Sequence, residues 1–258
     1  MNSHWERNLL LYIRRTRNPI RNLKLQLSSK YRKSQFISLS ILGSVSLTSL
    51  TLLNLAVVRV QFVDAARAES SIFRAIDEID RLEVKGRAPK TGFSRSAFGA
   101  QWSDVDRNGC DTRNDILRRD LTSIIFREKT RDCVVERGIL KDPYSGQVIE
   151  FQRGEKTSAL VQIDHVVALS NAWQTGMFQM SNRVRTNFAN DPLNLLAVKG
   201  SLNSQKGDGD AATWLPPNKS FRCTYVSRQI QVKTKYGLWL TPPEREAMLR
   251  VLQSKDCV

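Results

Sequence analysis

The chain has 258 residues, a formal net charge of +15, four cysteines and two histidines; at roughly 100–200 residues per domain, one folded core with extra segments is the expectation. His4 lies in a basic N-terminal tail, so any imidazole chemistry must come from His165. Cys110, Cys133, Cys223 and Cys257 show no CxxC spacing, which sets aside a structural zinc site made by cysteines.

The charge is unevenly spread: residues 1–60 carry ten Lys and Arg against Glu6 alone. Residues 1–33 read as a basic cytoplasmic tail. Residues 34–58 hold no charge over 25 positions, longer than the roughly 20 needed to cross a hydrocarbon core. They read as a transmembrane anchor, or as the apolar region of an export signal with Ala66-Arg67-Ala68 as its cleavage site. A buried core helix is the third reading, though one without charge on any face is uncommon. With an anchor or a signal, the excess of positive charge before the segment sends everything after Arg59 outwards, secreted or held at the membrane through 34–58. In an oxidising compartment four cysteines read as two disulfides. Of the three possible pairings, proximity in sequence favours Cys110 with Cys133 and Cys223 with Cys257.

Residues 59–101 are expected to be a linker helix and loop. From Ser70 to Leu82 the apolar Ile72, Phe73, Ile76, Ile79 and Leu82 recur at helical spacing, and residues 85–101 are rich in Gly, Ser and basic residues without a period. The folded domain is expected over 102–258. Within it the pattern predicts a helix from Thr112 to Phe126, then short strands at Asp132–Val135 and Gln147–Gln152 around the turn Asp142-Pro143-Tyr144-Ser145-Gly146. A third strand fits Ala159–Leu169, a helix 171–188, a strand Leu193–Val198 and a short helix from about Ser201. A basic helix follows at Arg222–Tyr236. The last helix opens on Thr241-Pro242-Pro243-Glu244, a capping box with proline in the first turn.

Within the third strand an Asp-His pair, Asp164-His165, interrupts an apolar run. Asn194 opens the next strand, and Asn203-Ser204-Gln205-Lys206-Gly207-Asp208 opens the helix after it. Together with N-G-C-D-T-R at 108–113, D-P-Y-S-G at 142–146, F-A-N-D-P-L-N-L-L-A-V at 188–198 and K-G-D-G-D-A-A-T-W-L-P-P at 206–217, this pattern resembles the HNH nucleases of ββα-metal fold. It is closest to an exported bacterial branch that shares its domain with the C-terminal nuclease part of GmrSD-type restriction enzymes. The resemblance covers about residues 70–258. It implies an α+β fold, with a ββα-metal core embedded in a mostly helical domain behind an N-terminal membrane-spanning or signal helix. It also implies a metal-dependent endonuclease leaving 5′ phosphates.

The chemistry can be argued beside the family. Phosphodiester hydrolysis needs a base for water, and a neutral imidazole supplies one at His165. A hard cation, Mg²⁺ first and Mn²⁺ or another divalent ion as alternatives, takes oxygen ligands, for which Asp164 and Asn203 are the candidates. The resemblance assigns the same two residues to the metal and makes Asn194 the residue that steadies the base. Lys206, three positions after Asn203 on one helical face, is a phosphate contact or a solvated cation. Asn194 also reads as a turn residue and Asn203 as a helix cap. Adjacent strand residues face opposite ways, so Asp164 and His165 can share a site only at a bulge or a strand end. The helix expected over Asn171–Asn187 is longer than the family's usual hairpin loop.

Two further features concern ligands. Asp104-Val105-Asp106-Arg107-Asn108-Gly109 matches the start of an EF-hand calcium loop at Asp104, Asp106 and Asn108, but Asp115 stands where a bidentate glutamate is expected. The loop reads equally as a cap for the next helix, or as a support aiming Arg113 at substrate. Arg222, Arg228, Lys233 and Lys235 could form a sequence-blind nucleic-acid contact or a solvated face. No aromatic platform is evident among them, so they do not support a single-strand stacking groove. The expected partner is nucleic acid, DNA before RNA. The rival reading is an extracellular nucleic-acid binder or surface-assembly domain without turnover.

Overall fold

The computed structural model describes residues 73–255 and 257. The basic tail and the apolar 34–58 segment lie outside these residues; among the described residues no helix is long and apolar enough to cross a membrane.

The fold is α+β. Helix α1 (73–81) leads to a loop with one 3₁₀ turn, Arg95–Phe98. Helix α2 (Thr112–Asp120) precedes strands β1 (Leu121–Phe126), β2 (Val135–Lys141) and β3 (Val148–Gln152), an antiparallel sheet in the order β1-β2-β3. Strand β4 (Val161–His165) pairs antiparallel with β5 (Leu195–Lys199), in register from Val161 opposite Lys199 to His165 opposite Leu195. Between them lie α3 (Leu169–Gln174), a 3₁₀ turn at Met177–Gln179 and α4 (Asn182–Ala189); after them come α5 (Gly200–Lys206), α6 (Arg222–Tyr236) and α7 (Pro242–Leu252).

Strand alternation divides the hairpin between two cores. Val161, Ile163, Leu195 and Ala197 pack with Ile116 and Leu117 of α2 and with Leu140 and Phe151 of the three-stranded sheet. Leu196 and Val198, on the other face, pack with Tyr144, Ile230 of α6, Met248 of α7 and Ile79 of α1. A third cluster joins Phe98, Val167, Trp173, Phe188 and Val232. Residues 73–101, expected to be a linker, thus supply Ala75, Ile79 and Phe98 to the cores, and Val84 makes a parallel bridge to Leu240.

Several local expectations are met and others corrected. The basic helix spans Arg222–Tyr236 and stops at Gly237, whose φ of 60° is the left-handed cap that glycine adopts without strain. Thr241 and Glu244 form the capping box of α7. The helix expected to run from Thr112 to Phe126 instead ends at Asp120. There the β-branched Thr122 and Ile125 pair with β2, while the Asp120 carboxylate accepts a hydrogen bond from Ala197 N at 2.8 Å and ties the helix end to β5. The single helix expected over 171–188 is two, broken at Gly176 (φ 126°) and restarted by Ser181, whose hydroxyl accepts from Val184 N.

Both expected disulfides form, Cys110–Cys133 and Cys223–Cys257. The first closes a loop of sequence separation 23, so its removal should cost about 3 kcal/mol through the freed unfolded chain. We expect the Cys110→Ser/Cys133→Ser double variant to be less stable than the parent by that amount, as read from urea denaturation curves.

Candidate active site

His165 closes β4, and its ring lines a cavity of about 460 Å³ together with Trp102, Arg113, Gln162, Asn190 and Asn203. A second cavity of about 480 Å³ shares His165, Gln162 and Asn203 and extends to Ser204 and Asp208. The two form one groove along the hairpin and the start of α5.

The imidazole is oriented by backbone. Its Nε2 lies 2.9 Å from the Ala189 carbonyl at the end of α4. A carbonyl oxygen only accepts, so Nε2 carries the proton and Nδ1 keeps the lone pair. Burial pushes the ring's pKa down to about 4, against smaller upward effects of the Ala189 carbonyl and Asp164. The ring is therefore neutral at pH 7, with the Nδ1 lone pair free of a proton.

Asn194 holds this arrangement from the interior. Its Oδ1 accepts from Val167 N at 2.9 Å, its Nδ2 donates to the Val167 and Phe188 carbonyls, and its own carbonyl accepts from Val166 N. One buried carboxamide thus links the loop after His165 to the segment that carries the Ala189 carbonyl.

Asp164 and Asn203 both border the second cavity, but each is engaged by another side chain. The strand ends at His165, as one of the two expected exceptions requires, but the pairing stays regular through Asp164 opposite Leu196 and His165 opposite Leu195. With no bulge, alternation turns Asp164 into the core, where it is 4% exposed. Its Oδ1 accepts from Lys206 Nζ at 2.9 Å and its Oδ2 from the Tyr144 hydroxyl. Lys206 also donates to the His165 carbonyl at 2.8 Å. Asn203 does line the groove, and its Nδ2 donates to Gln162 Oε1. A divalent ion would have to displace Lys206 from the Asp164 carboxylate; the other oxygens of the second cavity include the carboxamides of Gln162 and Asn203 and the Asp208 carboxylate, which pairs with Lys90. Among the described residues no three His, Cys, Asp or Glu side chains converge to hold a metal ion.

The remaining expected residues divide. Arg113 lines the cavity and donates to the Val161 carbonyl at 3.3 Å. Burial and the neighbouring Arg153 push its pKa down, and among the described residues no carboxylate lies within ion-pair distance of it. Lys206 is buried on Asp164 and is no surface phosphate contact. Arg222 donates to the Pro216 carbonyl away from the groove. Arg228 is spent on the carbonyls of Pro192, Leu193 and Leu195, Lys233 on Glu244, and Lys235 on Asp191. The basic helix therefore stabilises the fold with the charges that suggested a nucleic-acid face. In the calcium-like loop, Asp104 and Asp106 accept from the backbone amides of Asn108 and Gly109, and Asn108 Nδ2 reaches Asp115. Those carboxylates close a turn on themselves.

Asn190 escaped the sequence reading. It is 1% exposed, its Nδ2 donates to the Thr186 carbonyl, and its Oδ1, with no hydrogen-bond partner among the described residues, belongs to a residue lining the cavity beside His165. A buried acceptor left unpaired is costly unless something fills its place. In the sequence it reads only as a helix-terminating Asn before Asp-Pro.

Residues 111–251 match the family described as GmrSD restriction endonucleases, C-terminal domain. A protein of Arthroderma benhamiae, described as an uncharacterised secreted protein, is 35% identical over 175 residues, covering 67% of this chain and 80% of its own length. That relative is fungal, so the likeness is not confined to bacteria. No solved structure matches the chain. The family match spans more than half of the chain and includes His165 and Asn194, so the chain belongs to the family of the GmrSD restriction endonuclease C-terminal domain.

Proposed function

We propose that the protein is an HNH-type endonuclease that hydrolyses phosphodiester bonds of nucleic acid, DNA first, outside the cytoplasm. The carrying observation is the His165 imidazole, whose Nε2 is pinned by a carbonyl and whose Nδ1 is left as a neutral base at the edge of a groove. Family membership supports nuclease chemistry. The two disulfides and the secreted relative support action in an oxidising exterior.

In this reading Nδ1 takes a proton from water as the oxygen attacks phosphorus in line with the departing 3′ oxygen. Arg113, desolvated and without a carboxylate, binds the non-bridging phosphoryl oxygens and stabilises the charge that gathers there. Asn194 positions the imidazole without touching substrate. The hairpin β4–β5 followed by α5 supports the ββα reading.

One observation favours a second reading, a nucleic-acid binder without turnover: Lys206 occupies the carboxylate that the family pattern assigns to a metal. Cleavage decides between them. The full chain should cut supercoiled plasmid or linear DNA with a divalent ion supplied. Arg113→Met should lower kcat/KM about tenfold, the loss of one charge-assisted contact. Retarded but intact DNA and RNA across several divalent ions would establish the binder instead.

A further inference from the structure

The sequence places no aromatic platform on the basic helix, yet the fold sets one beside the base. The Trp102 and His165 rings lie nearly parallel, 14° apart in plane with centroids 6.1 Å apart. Trp102 comes from the loop between the 3₁₀ turn and α2, is partly exposed and lines the same cavity as Arg113. Its backbone φ is 58°, a conformation that a bulky non-glycine residue rarely adopts and that is retained where the surroundings enforce it. The surroundings here are the first turn of α2: Thr112 N donates to the Trp102 carbonyl and Thr112 Oγ1 to the Ser103 carbonyl. The indole N–H donates to no described residue, whereas those of Trp173 and Trp239 are tied to backbone carbonyls.

We propose that Trp102 is a stacking platform for a nucleobase next to the scissile phosphate, so that the groove takes unpaired nucleotides and the preferred substrate is single-stranded nucleic acid. The proposal rests on the nuclease reading of the same groove. Inside a duplex both faces of a base are covered by its neighbours, so only an unpaired or extruded base can lie on the indole. Stacking is tolerant of base identity, because every base has a π face. With the base on Trp102, the flanking phosphate lies between a cation and the imidazole, Arg113 and His165 lining the same cavity. The indole also packs against the cluster under α2, so the test must separate a ligand role from a structural one.

The experiment uses the full chain and labelled single-stranded oligonucleotides in which one abasic site is walked along the sequence, with the matching duplex as comparison. Affinity is read by stopped-flow anisotropy before turnover, and cleavage in the same reaction. Wild type should bind and cut the intact strand better than the duplex. It should lose about tenfold or more in affinity when the abasic site reaches the position that stacks. Trp102→Ala should show that loss on the intact strand and no further loss on the abasic one, and Trp102→Phe should recover most of it. Equal extra losses for Trp102→Ala on both strands would mean a structural role and overturn the proposal, as would wild-type affinity in Trp102→Ala. Cleavage without this coupling sinks the platform alone. Coupling in affinity without any cleavage sinks the nuclease reading and leaves the platform standing.

Discussion

His165→Ala should lower cleavage about 10³-fold while the domain stays folded, because a positioned general base contributes roughly 10²–10⁴-fold and the ring is held by a single backbone hydrogen bond from its own Nε2. Circular dichroism and a melting curve check the fold, and initial rates on plasmid check the chemistry. Wild-type activity should also persist into mildly acidic buffer. With the folded ring protonating only near pH 4 rather than at the ordinary 6.5, the acid limb of kcat/KM should fall close to the lower value. Stability follows the same group. As pH drops from 6.5 towards 4, the unfolded ring binds a proton that the folded ring refuses, so stability is complete above that window and declines through it. His165→Ala should lack this part of the decline. A variant that cleaves at the wild-type rate would remove the imidazole from the mechanism.

Lys206→Met should destabilise the domain by about 3–5 kcal/mol, the usual effect of removing one partner of a buried ion pair. The substitution leaves Asp164 in the core with only the Tyr144 hydroxyl for its charge, and it frees the His165 carbonyl from its donor. Urea denaturation reads the loss. Asp164→Asn combined with Lys206→Met should recover part of it, since the stranded charge is then gone. A solvated phosphate contact would behave in the opposite way, with weaker nucleic-acid binding and unchanged stability. The two measurements on one variant therefore separate the buried ion pair from the surface role.

Much of the architecture was legible along the chain because short-range interactions carry it. The capping box at Thr241 and Glu244, the end of the basic helix at Gly237 and the turn at Asp142–Gly146 each depend on residues a few positions apart. Where the pattern misled, a non-local partner decided. Leu121, Ile124 and Ile125 continue the apolar period of α2, yet pairing with β2 takes Leu121–Phe126 into a strand. The cations of the basic helix look solvated one by one, but Arg228, Lys233 and Lys235 are each met by groups distant in sequence.

By proximity the sequence favoured one of three cysteine pairings, which the structure forms, and by itself it determined that His165 is the imidazole available to the folded domain and that Asn194 and Asn203 accompany it on a hairpin and the following helix. Identity and order along a chain suffice for these. Only the tertiary structure decided that Asp164 belongs to Lys206 and Tyr144, that the His165 ring leans on the Ala189 carbonyl, and that Trp102 lies beside that ring. Strand alternation sends neighbouring side chains to opposite faces, and the face each one meets is set by elements that the chain brings back from twenty to sixty residues away.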